Sequence, residues 1–429
     1  MLSRYGENAR SVALLAATRR YAAAMRSLLT ALLAVVALVL AACSGDASSD
    51  STVTGDAAAD TTDPETGTET PDTTTTTTTT TQDPPPPFDY VERGEFGVGV
   101  ATVRVNEGSE RPLTVDVWFP LAEATAGELQ QYTLLPGVFY ESPTAIAAEL
   151  TSIADGQFPL VVYSHGSGGQ RWIHSDYTEF IASHGYVVVA PDHTGNTLVE
   201  RFSGSEIDGQ QVAFDRPTDV TEVLDAAIND DPDELLDDGL AGHLTDDVIV
   251  TGHSFGGFTS YATVSGVTTT AGEYLPDERV DAIITLAPAA GPELLTDELL
   301  TAVDVPHLVM VGDSDDVTPI DPNVERPWAL VTGAPSYRVE LVAAEHQSFT
   351  DLCAYQEALP LLDTVPELVI EAIDSFAATD CVPTAMNFER VREITNSFAV
   401  RFLDEVTQDA TPLGDDEVVY PDDIRFLTK

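Results

Sequence analysis

Basic side chains are scarce in this chain of 429 residues. Lysine and arginine number 19 against 71 aspartates and glutamates, so the formal net charge is −52 at pH 7, and Lys429 is the sole lysine. A surface of this sign repels nucleic acids and anionic lipids, and we expect neither as a partner. Because salt screens such repulsion, adaptation to a saline habitat and an ordinary acidic surface are equally good interpretations of the charge.

Cysteine is also rare, at three residues, and histidine is limited to eight. The sequence contains no Cys-x-x-Cys, no His-Glu-x-x-His and no histidine cluster. We therefore expect neither a metal nor a cofactor. Cys353 and Cys381 both lie in the C-terminal part, and in an oxidising compartment we expect a disulfide between them. Two free buried thiols are the alternative.

An almost unbroken apolar run spans residues 27–42 and follows three arginines. The run is short for a membrane span and has the layout of an export signal. It ends in Leu-Ala-Ala-Cys43, which looks like the lipobox of bacterial lipoproteins. We expect residues 1–42, or a shorter signal starting at Met25, to be removed and Cys43 to be lipidated, with an ordinary secretory signal as the alternative. Lipid would then anchor the protein at the surface or outer membrane of a bacterial cell, with release from the cell also open.

Low-complexity sequence fills residues 43–87, with a threonine run from Thr73 to Thr81 and prolines directly before Phe88. Such a composition buries too little apolar surface to fold, so we expect an extended tether. The remaining residues, 88–429, are long for one domain but suit a single catalytic domain with insertions.

Short apolar segments rich in β-branched residues alternate with helix-compatible segments along residues 88–429. The later ones are apolar throughout, as strands buried on both faces of a parallel sheet are. The alternation predicts an α/β fold with a mostly parallel, doubly wound sheet of about eight strands flanked by helices. The predicted strands are 98–105, 113–119, 160–163, 187–190, 248–251, 282–286, 308–311 and 339–343, and the predicted helices are 176–183, 217–229, 255–264 and 387–405.

The most informative motif is Gly252-His253-Ser254-Phe255-Gly256, which lies between a strand-like run and a helix-compatible segment. Gly-x-Ser-x-Gly in this setting is a nucleophile elbow, a strained turn that exposes the serine hydroxyl above the sheet. The two glycines are required because neighbouring backbone passes close to the turn. Ser254 is therefore the candidate nucleophile.

A glycine-rich turn at residues 165–169 ends an upstream apolar strand. Such a turn directs a backbone N–H at the negative charge of a tetrahedral intermediate. We assign the two oxyanion-hole donors to the N–H groups of Ser167 and Phe255, with a plain glycine turn as the alternative. His165 and His193 sit at strand ends, where they would line the pocket.

The candidate acid and base follow Ser254 in the order that α/β-hydrolases use. A buried strand ends in a cluster of aspartates, in which Asp315 has a glycine three residues before it and a proline four residues after it. Asp315 is the predicted acid and Asp316 is the runner-up. His346, the one histidine beyond this cluster, follows a strand-like run, where the fold places its general base.

Several segments together resemble platelet-activating factor acetylhydrolases and dienelactone hydrolases. They are residues 158–166, residues 181–193, the elbow, and the His-x-x-Phe-Thr-Asp stretch that begins at His346. The resemblance covers roughly residues 95–405 and implies the α/β-hydrolase fold, with Ser254 as nucleophile, Asp315 as acid and His346 as base. Bacterial cutinases and polyester hydrolases are similar as well. Ser167 departs from the acetylhydrolases, which tend to carry a larger apolar residue there, so the shape of their acyl pocket does not transfer.

These motifs predict a secreted or surface-anchored serine hydrolase. We expect it to act as a monomer on a small-molecule or polymeric carboxylic ester, with short-chain esters favoured, through an acyl-enzyme intermediate. A cutinase-like polyester hydrolase is the alternative within enzymes. A non-catalytic surface binding module on a hydrolase scaffold is the alternative from another class, since a fold does not fix a function.

Overall fold

The apolar strands of the sequence set the architecture of residues 91–429. The computed structural model describes residues 91–122, 126–135, 137–228, 239–362, 365–408, 410–413, 420 and 422–429. The predicted signal segment, the predicted lipidation site Cys43 and the predicted linker at residues 43–87 lie outside the described residues. Within the described ranges, no helix is long and apolar enough to cross a membrane.

Eleven strands of the described chain form one sheet, and two short ones form a separate hairpin. In chain order the strands are β1 (Val98–Val105), β2 (Leu113–Pro120), β3 (Leu129–Leu135), β4 (Val138–Ala147), β5 (Phe158–Ser164), β6 (Val187–Pro191), β7 (Leu244–His253), β8 (Val267–Thr268), β9 (Glu273–Tyr274), β10 (Ala282–Leu286), β11 (His307–Gly312), β12 (Ser336–Leu341) and β13 (Ile424–Thr428). The sheet order is β13-β12-β11-β10-β7-β5-β6-β2-β1-β4-β3, and β8 pairs with β9.

The centre of the sheet is parallel. Strands β6, β5, β7, β10, β11 and β12 pair in parallel, each with its neighbour in the sheet order. Antiparallel pairs flank this block, with β2 against β6 on one side and β13 against β12 on the other. The predicted α/β class with a mostly parallel sheet is confirmed. The carboxyl ends of the parallel strands share one edge, where ligands of open α/β sheets bind.

All eight predicted strands occur, but the sheet has three more, β3, β4 and β13. Strands β3 and β4 form an antiparallel hairpin at one edge, and β13 lies at the other edge. An edge strand is not buried on both faces, so it lacks the continuous apolar run by which the central strands were predicted. Exposed positions interrupt the buried ones along β4, which is next to the edge strand β3, and along β13.

Helices connect the strands and cover the sheet. The four predicted helices occur, and the second begins at Gly209 rather than at Pro217. Proline is favoured at the first position of a helix, but this helix runs through Pro217 and begins eight residues before it. The helices are α1 (Ser175–Ser183), α2 (Leu198–Ser203), α3 (Gly209–Ile228), α4 (Phe255–Ser265), α5 (Asp297–Thr301), α6 (Ile320–Asn323), α7 (Glu325–Leu330), α8 (Leu352–Ala358), α9 (Glu367–Ala377) and α10 (Phe388–Gln408), with 3-10 turns at Leu150–Ser152, His346–Phe349 and Leu359–Leu361.

Two apolar cores lie on opposite faces of the sheet, because successive side chains of a strand point to opposite faces. In β5, Val161 and Tyr163 belong to one core, whereas Leu160 and Val162 belong to the other. Helices α1 and α10 contribute to the first core, and α3 and α4 to the second. Burial on both faces fixes the ends of the central strands, on which the candidate site is built.

Candidate active site

The nucleophile elbow joins β7 directly to α4. Ser254, the residue between them, has φ 57° and ψ −117°, a backbone conformation that residues other than glycine rarely adopt. A Cβ on Gly256 would lie 1.8 Å from the carbonyl oxygen of Ser164, and a Cβ on Gly252 would lie 2.5 Å from the Gly256 backbone. The tight turn therefore has no room for side chains at these two positions, and it presents the half-buried Ser254 at the carboxyl edge of the sheet.

Ser254, His346 and Asp315 form one hydrogen-bonded chain. The Oγ of Ser254 lies 2.9 Å from Nε2 of His346, and Nδ1 of His346 lies 2.8 Å from Oδ2 of Asp315. The side chains of His346 and Asp315 are buried. When the N–H of His346 is at Nδ1 and donates a hydrogen bond to the carboxylate, Nε2 is free to accept the serine proton. A general base requires this arrangement.

Hydrogen bonds keep the Asp315 carboxylate charged. Its Oδ1 accepts from the backbone N–H groups of Val317, at 2.8 Å, and Thr318, at 2.7 Å. Burial opposes the charged form, but the hydrogen bonds from His346 and Thr318 outweigh it and place the pKa of Asp315 below the ordinary value of 3.8. The runner-up, Asp316, is exposed. The geometry thus favours Asp315 as the partner of His346.

His253, directly before the nucleophile, supports the backbone of the candidate base. Its buried ring lies 4.7 Å from that of His346, centre to centre, and its Nε2 is 3.0 Å from the His346 carbonyl oxygen. Burial, and next the charge that His346 would carry, lower the pKa of His253 well below 6.5. The Nε2–H of the neutral ring donates a hydrogen bond to this carbonyl oxygen and so positions His346. The sequence placed His253 in the elbow without this role.

Asp351 ties the segment after His346 to two helices. Its Oδ2 accepts from the Ser175 hydroxyl at 2.6 Å and from the Asp176 N–H at 3.2 Å, at the start of α1. Its Oδ1 accepts from Arg392 of α10. Asp351 ends the His-x-x-Phe-Thr-Asp stretch in the sequence, and that stretch was the signal that could have identified it as a supporting residue.

A disulfide-linked segment also reaches the candidate base. The sulfurs of Cys353 and Cys381 are bonded, which joins α8 to the chain after α9. Asp380, the neighbour of Cys381, accepts a hydrogen bond from the N–H of Gln347 at 2.8 Å. Because Gln347 follows His346 directly, the covalent link holds the 3-10 turn that carries the candidate base.

The glycine-rich turn lies against the nucleophile. A Cβ on Gly166 would be 3.3 Å from the Cβ of Ser254. Within the described parts of the chain, nothing accepts a hydrogen bond from the N–H of Ser167 or of Phe255. The Phe255 N–H opens α4, where helical N–H groups are unpaired and the dipole favours negative charge. The two predicted donors are thus available to an oxyanion.

A second Ser–His–Asp chain lies beneath this turn. The Oγ of Ser164 is 2.8 Å from Nε2 of His193, and Nδ1 of His193 is 2.9 Å from Oδ2 of Asp219. All three are at most 1% exposed, so no substrate reaches them. Arg111 closes the chain with two hydrogen bonds to Asp219, at 2.7 and 2.9 Å. This chain is structural and fixes the end of β5.

The expectation that His165 and His193 line the pocket is wrong. Both rings are fully buried, and the N–H of His193 donates to Nε2 of His165 at 3.2 Å. Burial, followed by the charge of Arg216, lowers the pKa of each well below 6.5, so both are neutral. The sequence showed that they sit at strand ends but not that loops cover them.

Five buried histidines should make the protein sensitive to acid. Burial lowers the pKa of each below 6.5, so the folded protein leaves them neutral at a pH where the unfolded chain binds protons. Stability is therefore fully present above pH 6.5 and falls as pH drops toward the lowered folded values, by up to about 1.4 kcal/mol per histidine per pH unit. The five are His165, His174, His193, His253 and His307.

We expect the urea concentration at the midpoint of unfolding to decrease when the pH is lowered from 7.5 to 5.5. Burial raises the pKa of Asp219 to about 6 against the opposing charge of Arg111, so this carboxyl takes up a proton in the folded state and offsets about one histidine. His307→Gln, which replaces a ring with a pKa of about 3, should have the shallower pH dependence. A midpoint that is constant or rises toward pH 5.5 would contradict the expectation.

The comparisons with known proteins point in one direction. The chlorophyllase family model matches residues 141–303, a span that contains the glycine-rich turn and Ser254. A probable 1-alkyl-2-acetylglycerophosphocholine esterase of Arthroderma benhamiae is 31% identical over 100 residues, 23% of this chain and 26% of that protein. A platelet-activating factor acetylhydrolase of Bos taurus is 31% identical over 115 residues, 25% of this chain and 24% of that protein. The chain thus spans about a quarter of the length of these curated relatives.

The fold itself has a solved counterpart. A ferulic acid esterase from Streptomyces cinnamoneus superposes with a TM-score of 0.59 at 21% identity, over 78% of this chain and 97% of that one. At this identity the likeness concerns the fold, and what the site does is argued from its own residues.

Proposed function

We propose that this chain, an α/β-hydrolase related to known esterases, cleaves carboxylic esters with Ser254 as its nucleophile. One observation carries the proposal. The hydrogen-bonded chain from Ser254 through His346 to Asp315, with steps of 2.9 and 2.8 Å, ends at a strained elbow beside two unpaired N–H groups. Acyl transfer requires this combination of nucleophile, base, acid and oxyanion donors.

The first half of the reaction forms an acyl-enzyme. Nε2 of His346 takes the proton of Ser254 as Oγ attacks the ester carbonyl carbon, and the carbonyl electrons move onto oxygen. The N–H groups of Ser167 and Phe255 hold that oxyanion, while Asp315 stabilises the imidazolium. His346 then gives its proton to the alkoxy oxygen, the carbon–oxygen bond breaks, and the alcohol leaves.

The second half releases the acid. His346 deprotonates a water molecule that attacks the acyl carbon, and a second oxyanion forms in the same place. Its collapse expels Ser254, which recovers the proton from His346. The carboxylic acid leaves, and the site returns to its starting state with no metal or cofactor.

Short-chain esters are the favoured substrates within this proposal. The support is that the names of both curated relatives refer to acetyl esters. A polymeric ester is the second candidate, because apolar side chains are exposed near the site. Val317, two residues after Asp315, is 63% exposed, and Val199 is 65% exposed and follows Leu198, whose N–H donates to the carbonyl oxygen of Gly169 in the glycine-rich turn. Such a rim would contact a polymer beyond the scissile bond.

We further propose that the enzyme is exported and anchored through lipid on Cys43, and that it acts as a monomer. The support for export is the signal-like segment with its lipobox, together with the bonded Cys353 and Cys381, since disulfides persist in oxidising compartments. Metabolic labelling with a tagged palmitate, compared between the natural chain and Cys43→Ala, tests the anchor.

A fluorophosphonate probe and a p-nitrophenyl ester series test the activity. We expect the probe to modify the Ser254 peptide and the rate to be highest for acetate or butyrate. A preference for medium chains would instead favour the polyester substrate. A folded protein that neither labels nor hydrolyses any member of the series would be a binding module on a hydrolase scaffold.

A further inference from the structure

We infer that Arg216 supports the oxyanion hole of this site, by fixing and polarising the peptide that carries the Ser167 N–H and by placing a buried positive charge behind it. The inference rests on the proposed ester hydrolysis. Arg216 touches no substrate in this scheme and is a positioning residue that acts through Ser167.

The Arg216 guanidinium is 1% exposed and lies directly behind the glycine-rich turn. Its Nη1 donates to the carbonyl oxygen of His165, and its Nη2 donates to that of Gly166 at 3.1 Å. Asn196 orients it by accepting from Nε at 3.1 Å and from Nη2 at 2.7 Å. Its central carbon lies 5.2 Å from the ring centre of Phe255, the residue that supplies the other donor.

One peptide unit connects this contact to the site. The carbonyl oxygen of Gly166 accepts from Arg216, from Nδ1 of His165 at 2.7 Å and from the N–H of Gly169 at 3.0 Å. In a trans peptide the following N–H, that of Ser167, points away from these donors. Donors on the carbonyl polarise the whole peptide and make this N–H a stronger donor.

The charge of Arg216 lacks the usual compensation. Four other arginines with largely buried side chains each pair with a carboxylate. They are Arg111, Arg171, Arg338 and Arg392. Among the described residues, no carboxylate lies within ion-pair distance of Arg216. Burial lowers the pKa of Arg216 to about 9, opposed by the more distant Asp219, so the group stays charged at neutral pH.

A buried charge without a partner is costly to fold around. Catalysis would explain why the chain keeps this charge, because the charge faces a peptide at which a negative oxygen develops during the reaction. In a site that excludes water, a fixed positive charge stabilises such an oxyanion more strongly than it would in solution.

The test uses Arg216→Met and Arg216→Lys, with Arg338→Met as the matched control. Arg338 is likewise buried but pairs with Glu325 and Glu340, away from the turn. The readouts are kcat and KM for p-nitrophenyl acetate, and the Ki of an alkyl trifluoromethyl ketone, whose Ser254 adduct carries an oxyanion.

We expect Arg216→Met to lower kcat by about 10–100-fold, less than the loss of a whole oxyanion donor, and to leave KM within about twofold. The Ki of the ketone should rise in step with the fall in kcat/KM. Arg216→Lys keeps the charge but loses the planar, forked set of guanidinium donors. Its kcat and Ki should therefore lie between those of wild type and Arg216→Met. Arg338→Met should lower the unfolding midpoint and leave kcat and Ki unchanged.

Equal kcat and Ki in a folded Arg216→Met and in wild type would overturn the inference, as would a change confined to KM. If Arg216→Met does not fold, the test falls to Arg216→Lys, whose unchanged kcat and Ki would overturn it equally. A wild-type protein that neither hydrolyses the ester nor binds the ketone would instead defeat the proposed function, so the two failures are distinguishable.

Discussion

Ser254→Ala should lower kcat for p-nitrophenyl acetate by about 10⁵–10⁶-fold, His346→Ala should do the same, and the double variant should lose no more than either. The reason is that Oγ and Nε2, 2.9 Å apart, act as one unit. Removing either group abolishes proton transfer and nucleophilic attack together. The residual rate then comes from binding and from the two backbone donors, which all three variants keep.

The measurement is kcat at saturating substrate for wild type, both single variants and the double variant. His243→Ala is the control, because this histidine lies outside the site, where its Nδ1 is 3.2 Å from the carbonyl oxygen of Gly156. Its kcat should match that of wild type. Losses that multiply in the double variant would mean that Ser254 and His346 act independently, and the proposed mechanism would be wrong.

The parts of this protein that could be predicted are those that a short stretch of sequence determines by itself. Strands β5, β7, β10 and β11 are short β-branched runs because they are buried on both faces, and a run of that kind has few other structures open to it. The elbow is equally local, since the glycines at positions 252 and 256 follow from contacts within one turn. Asp315 and His346 were found by chain order, which the strand order of the fold imposes.

The buried support of the site was not predictable, because its members meet only in the folded chain. Arg216 and Asp219 lie one turn apart on α3, but no spacing in the sequence joins this helix to Ser164 and His193 at the ends of two strands. The misplacement of His165 and His193 in the pocket has the same origin. A strand end indicates the edge of the sheet, whereas burial there depends on which loops pack over it.

The edge strands and the start of α3 were missed for a different reason. Strands β3 and β13 have one neighbour each in the sheet, and β4 and β13 have exposed positions, so none of the three carries the continuous apolar run of a central strand. Helix α3 continues through Pro217 because tertiary packing outweighs the local preference for proline at a helix start. Both cases are tertiary context overriding local propensity.

Asp315→Asn should lower kcat by about 10⁴-fold, whereas Asp316→Asn should leave it within about twofold. An asparagine at position 315 can offer its NH₂ group to Nδ1 of His346, which would place the imidazole proton on Nε2, the wrong nitrogen for a base. It also removes the charge that stabilises the imidazolium. Because hydrogen bonds hold the pKa of Asp315 below 3.8, the native carboxylate is charged throughout the neutral range, and the loss cannot come from its titration.

The two variants are a matched pair, since each removes one negative charge from the same loop and changes the net charge of the protein by the same amount. Asp315 differs from the exposed Asp316 in its burial, in the backbone N–H groups that it accepts and in its 2.8 Å contact with Nδ1 of His346, and the last of these is the one the mechanism uses. The measurement is kcat for both variants from pH 6 to pH 9, with the unfolding midpoint as a check of folding. A large loss in Asp316→Asn with an active Asp315→Asn would move the acid to position 316 and would require the loop after β11 to rearrange in the working enzyme.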